Sequence, residues 1–279
     1  MISLSFLKFL TLWFKMSNFL SYQNIDFRFG DQNYYASNVS LSAQASVDAV
    51  LLNDGSLLNY APNGAVVGGL SVDFYLTGSL PSFLQITGLN ESPIDVSFAG
   101  VKINQVYSKS LSFSVEPFQP IIISAEFDWY GNVLLEDFNE QSKSTLQNKL
   151  VPQYIANGYK SFITTNDIDG VGFIVSFDYN MSCDRPAYFN VDEVVPFRVA
   201  KLNKTSELSI KSNTLGEILS IYGKSAITNI TLKDTYGTSL DLFKVSGILT
   251  NQNYQISEGQ YLLASAKITQ TIPETKTLI

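Results

Sequence analysis

Histidine is absent from all 279 residues, and Cys183 is the single cysteine. A Ser-His-Asp triad, a Cys-His dyad, a histidine metal ligand, an intrachain disulfide and a CxxC redox pair are therefore excluded. Cys183 falls at an apolar position of an alternating stretch and reads as a small buried hydrophobe. What remains is carboxylate chemistry of the kind glycosidases use. Asp48 and Asp184 stand at matching places in two similar segments, where each is expected to close a strand before a turn. Asp commonly bonds its own backbone there, so the structural reading is the simpler one. Asn166-Asp-Ile-Asp-Gly170 has the opening of a calcium loop, but Ser176 stands where the bidentate Glu should be, and a turn is the better reading. Five Asn-x-Ser/Thr sequons, at Asn38, Asn90, Asn180, Asn203 and Asn229, are what a chain rich in Asn, Ser and Thr produces by chance, and Asn38 and Asn180 fall inside expected strands. No phosphate-cradling glycine motif is present. No catalytic, cofactor-binding or metal residue is assigned, and the chain reads as a non-enzyme without a cofactor.

The elements that would position any site are strands. In Val39-Ser-Leu-Ser-Ala-Gln-Ala-Ser-Val-Asp48, apolar residues fall on every second position, and Val175-Ser-Phe-Asp-Tyr-Asn-Met-Ser-Cys-Asp184 repeats the pattern. Period-two alternation marks a strand with one buried and one wet face. Further matches follow in order along the chain. Leu70-Ser-Val72 is echoed by Leu208-Ser-Ile210, Val101–Phe113 by Ile230–Leu242, and Ile122–Phe127 by Leu263–Ile268. Collinear matches with modest drift are what a duplication with loop insertions leaves behind. The expected fold is all-β, two tandem, internally duplicated β-sandwich or partial-barrel domains with a short helical insert between them.

The expected boundaries are an N-terminal arm over 1–36, a first β-domain over 37–136, an insert over 137–168, a second β-domain over 169–273 and a tail over 274–279. First-domain strands are expected near 37–48, 69–77, 94–107, 110–116 and 120–130, separated by turn signals such as Asn53-Asp-Gly55 and Pro62-Asn-Gly64. Glu136–Leu150 is the one stretch that reads as a helix, with Pro152 ending it. Within the arm, 16–36 is expected to be an extension or an edge strand. Residues 1–15 hold an apolar run interrupted by Lys8, too short to span a bilayer. They read as an extraneous extension ahead of a second start at Met16, as an arm docking on a neighbour, or as a secretory signal that lacks a charged opening and a cleavage site.

Net charge is −7. A protein that grips phosphates needs a basic footprint, so nucleic-acid binding is disfavoured, while a surface past which DNA slides is permitted.

The opening Phe19-Leu-Ser-Tyr-Gln-Asn-Ile-Asp-Phe27, the paired strand segments, Pro62–Val72 and the closing Gly259–Thr269 together resemble the virion structural proteins of tailed bacteriophages, in particular the tail tube family. The resemblance is architectural and covers about 37–272. It implies a β-sandwich or partial barrel whose strands join those of neighbours around a ring, favouring a trimer with pseudo-sixfold symmetry over a hexamer. Other tail proteins would be partners, DNA would pass without specific binding, and no membrane is involved. The subunit would be assembled in the host cytoplasm and located in the virion tail. The N-terminal 15 residues and the insert depart from the simplest pattern and leave open a neck, baseplate-hub or capsid decoration protein. Rival readings are a carbohydrate- or receptor-binding β-sandwich, with Trp129-Tyr130 as the one aromatic pair at a loop edge, a carboxylate glycosidase, and a secreted surface protein.

Overall fold

The computed structural model describes residues 25–30, 32–44, 47–62, 67–76, 93–135, 152–156, 174–190, 193, 195–212, 225–234, 239–256, 258 and 263–272. All regular structure among them is strand. In chain order these are β1 (Ile25–Phe29), β2 (Gln32–Gln44), β3 (Val47–Leu51), β4 (Leu57–Pro62), β5 (Val67–Tyr75), β6 (Ile94–Phe98), β7 (Val101–Val115), β8 (Ile122–Trp129) and β9 (Val133–Leu135). They continue as β10 (Pro152–Ala156), β11 (Ile174–Asp184), β12 (Ala187–Tyr188), β13 (Arg198–Val199), β14 (Leu202–Ser212), β15 (Ser225–Asp234), β16 (Ser239–Gln255) and β17 (Leu263–Ile272). No helix among the described residues is long and apolar enough to cross a membrane.

Six strands close on themselves in the order β7-β6-β1-β2-β5-β8 and back to β7, making an antiparallel barrel. The alternation seen in the sequence explains why. Leu70, Val72 and Phe74 of β5 and Ile123, Ala125 and Phe127 of β8 are buried, as are Phe27 and Phe29 of β1. Burying each large side chain contributes about 2 kcal/mol, and a closed barrel leaves no strand edge unpaired. β7 is long enough to serve two neighbours on one edge. Its first half pairs with β6, while Ser110–Val115 pairs with β11. From β11 the sheet runs on through β14, β17, β16 and β15 to β10, and β10 comes close to β11 again.

This second path repeats the barrel's neighbour relations. The pairs β2–β5, β5–β8, β8–β7, β7–β6 and β6–β1 correspond to β11–β14, β14–β17, β17–β16, β16–β15 and β15–β10. Register agrees as well. Leu70 faces Phe127 and Val72 faces Ala125, while Leu208 faces Ile268 and Ile210 faces Ala266. The bulge between Ser108 and Ser110 against β8 has a counterpart between Leu249 and Asn251 against β17.

Several sequence expectations are revised. Val39 faces Val72 and Phe177 faces Ile210, so pairing partners place Val39 alongside Phe177, two residues from the sequence match to Val175. A slip of two residues keeps every side chain on its face, which hides it from pattern matching. Val101–Phe113 lies within the single strand β7, whereas Ile230–Leu242, matched to it in the sequence, runs from β15 into β16. The strands expected at 94–107 and 110–116 are instead a hairpin followed by one continuous strand. The turn is Ala99-Gly100, with φ of +47° and +77°, the positive-φ pair that two-residue hairpins require. At 108–110 there is a bulge in place of a turn.

The stretch 25–36, read as an arm or edge strand, contributes β1 and the start of β2. β1 pairs on both sides, so it is not an edge. Pro152, expected to end a helix, begins β10. The helix expected over Glu136–Leu150 lies outside the described residues, as do residues 1–15 and the loop Asn166–Gly170.

Candidate functional site: a polar face across seven strands

The residues that alternate with the core make a continuous outer surface. One cross-strand row runs Asn38, Asp73, Ser124, Ser112, Asn180, Glu207, Thr269, passing from β2 through β5, β8, β7, β11 and β14 to β17. The next row runs Ser40, Ser71, Glu126, Ser110, Ser182, Thr205, Thr271 over the same seven strands. Every member of both rows is polar, and the charged members, Asp73, Glu126 and Glu207, are all acidic. At the usual strand spacing, seven strands span roughly 29 Å.

Neighbouring side chains on this face bond to one another. Ser124 donates to Asp73 at 2.6 Å, Ser110 to Glu126 at 2.9 Å, and Ser114 to Asp178. Ser182 and Thr205 share a hydrogen bond at 2.9 Å. Lys267 pairs with Glu207 at 2.7 Å, and Lys109 with Asp128 at 3.1 Å. Such exposed pairs contribute little to stability, about 0–1 kcal/mol each. Their effect is to hold a hydrated surface in one arrangement. An open groove of about 650 Å³ lies on this face, with Ser112, Ser114, Glu116, Asp178, Asn180 and Ser209 among its lining residues.

The structure does not bring Asp48 and Asp184 together. Asp48 lies inside β3, in a separate two-stranded sheet, and not at a strand end as expected. Asp184 does end β11 and accepts a hydrogen bond from Asn203 Nδ2 at 2.6 Å. Among the described residues, no three His, Cys, Asp or Glu side chains gather into a metal site. Cys183 is buried, and burial pushes its thiol above the usual range. Asn38 and Asn180 lie in β2 and β11, as read from the sequence, with Asn203 in β14 and Asn229 in β15.

Trp129 and Tyr130, the aromatic pair considered for sugar stacking, are both buried. The Trp129 ring lies over Gly68, where an added Cβ would come within 1.8 Å of the ring, and its Nε1 donates to the Ser42 carbonyl at 3.2 Å. Burial pushes Tyr130 up to about 12, and its hydroxyl donates to the Arg185 carbonyl at 3.3 Å.

Sequence reasoning missed Arg185. It is buried, its Nε donating to the Ser108 carbonyl at 2.7 Å and its Nη2 to Ser108 Oγ at 3.2 Å. This guanidinium holds the β7 bulge beside the Tyr107–Tyr130–Val199 cluster. An Arg just after an alternating strand carries no signal of burial in the sequence.

Neither a scan of protein-family models nor a search of curated proteins returns a match for this chain.

Proposed function

We propose that this chain is a structural subunit that assembles with copies of itself into a ring or tube, as in the tail tube of a tailed phage, with the polar face turned to a lumen. The observation that carries this reading is the pair of seven-strand rows in which no side chain is apolar and every charge is negative. A wall of that kind repels phosphate, and the two lysines beside the rows, Lys109 and Lys267, are held in ion pairs with Asp128 and Glu207. We also read the chain as duplicated, the closed barrel being one copy and the strands β10, β11, β14, β15, β16 and β17 the other. Shared strand order, shared register and a bulge at the same place support that reading. Three such chains would give the pseudo-sixfold ring that the resemblance implies.

Negative-stain electron microscopy of the protein begun at Met16, over a range of concentrations, tests the assembly. Rings or tubes with threefold or pseudo-sixfold symmetry are expected; a monomer at every concentration would remove the reading. In assembled particles, changing Asp73, Glu126 and Asp178 to Lys should cause DNA to be retained, where the native surface releases it.

A further inference from the structure

The hairpin β3–β4 is unlike the rest of the molecule. It forms a two-stranded sheet of its own, detached from the thirteen-stranded one. Its turn is well made: Leu52 N–H donates to the Ser56 carbonyl at 2.8 Å, Gly55 takes φ +81°, and Asp54 accepts from Ser56. Yet residues 48–59 are all exposed, and Leu51 and Leu58 stand 59% and 62% open to water. An isolated two-stranded hairpin is marginally stable in water, and one edged with leucines presents a surface that invites pairing. Its charge has one sign. From Phe29 to Val101 the chain has no Lys or Arg, and the hairpin carries Asp48 and Asp54.

A complementary surface exists on the same chain. β9 pairs with β7 along one edge, and no described strand pairs with its other edge. Its Val133, Leu134 and Leu135 are all exposed, Leu135 at 63%. Leu134 lies opposite Lys102, which lies opposite Ser97, which lies opposite Arg28, so the row leading to this apolar edge carries two positive charges.

We propose that the β3–β4 hairpin of one copy docks on the β9 edge of a second copy. Leucines meet Val133–Leu135, strand adds to strand, and the hairpin's aspartates face the Arg28–Lys102 row. Hairpin and acceptor are different surfaces, so the contact is head-to-tail and propagates from copy to copy instead of stopping at a dimer. This inference deepens the assembly reading and shares with it only the premise of self-association.

The test uses full-length variants of the two surfaces in analytical ultracentrifugation. One carries Leu51→Asp with Leu58→Asp in the hairpin; the other carries Leu134→Asp in the acceptor, with Lys102→Glu as a second acceptor variant. All four positions are exposed or half-buried, and unchanged thermal melting will show that the fold is kept. Each variant alone should self-associate at least about 30-fold more weakly than the native chain, the loss expected when a central apolar contact is replaced by charge. Mixed together, the hairpin variant and the Leu134→Asp variant should form a one-to-one dimer and nothing larger, because one intact hairpin then meets one intact acceptor. A native chain that stays monomeric, a variant that assembles like the native chain, or a mixture that stays monomeric would each overturn the proposal. Native rings that survive both sets of substitutions would spare the tube reading and reject this contact. Native assembly that depends on both surfaces but yields no rings would do the reverse.

Discussion

The closed barrel and the strand path beyond it fill two positions of like pairing register in opposite ways. In the barrel, Gly68 faces Trp129, and the indole fills the space a side chain on residue 68 would need. At the corresponding place Ser206 faces Gln270, and the serine hydroxyl donates to Gln270 Oε1 at 3.4 Å. One site is a large ring over a bare backbone, the other a small polar pair with Ser206 buried. Register is the same in both. Pairing pattern therefore tolerates a complete change in side-chain chemistry, provided that volume and hydrogen bonding are satisfied together.

That contrast can be broken at either end. Trp129→Ala should destabilise the protein by about 4 kcal/mol in denaturant unfolding, since it empties the largest side chain from the barrel core. Gln270→Ala at the corresponding place should cost about 1 kcal/mol or less, because Gln270 is only partly buried. Equal losses would show that the two positions carry the same load and would remove the contrast. Gly68→Ala should cost about 3 kcal/mol by overpacking against the indole, and adding Trp129→Phe should recover part of that loss.

Alkali probes both regions at once. Burial pushes Tyr34 and Tyr130 in the barrel region, and Tyr179 on β11, up to about 12. In the unfolded chain these phenols ionise near 10, so between pH 10 and 12 the unfolded state holds fewer protons than the folded one. Their stabilising contribution is complete below pH 10 and falls as pH rises through 12, which unfolding free energies measured across that range will show. Ser206→Ala should likewise cost only about 1 kcal/mol, with the register of β14 on β17 unchanged in amide hydrogen exchange.

Much of the fold was legible because burial in β5, β8 and most of β11 alternates strictly, although Ala43 and Val175, expected to point inward, are exposed. Leu70, Val72, Ile123, Ala125, Phe127, Phe177 and Tyr179 all stand at positions the period-two pattern marks as inward. The Ala99-Gly100 turn was not, because alanine rarely adopts positive φ and gives no local warning of it. The bulge beside Lys109 was hidden for a related reason: it arises from pairing with β8, not from any residue type. The polar face was half legible. Each strand's wet residues could be named, but that Asn38, Ser112 and Glu207 lie in one row depends on pairings between segments far apart in the chain. The detached hairpin was the opposite case. Its Asn-Asp-Gly turn was readable, and its lack of packing was not, since burial belongs to the whole chain.

β7 belongs to two structures at once. Ser110–Phe113 is hydrogen-bonded to β8 on one edge and β11 on the other, so the strand that closes the barrel also begins the sheet beyond it. Two lobes joined by a linker melt separately. Two lobes that own the same strand must open it together, and heat should melt this protein in one cooperative step. Ending the chain before β11 would leave a severed seam, one edge of the 110–115 backbone of β7 bare and ready to adhere to any other strand it meets.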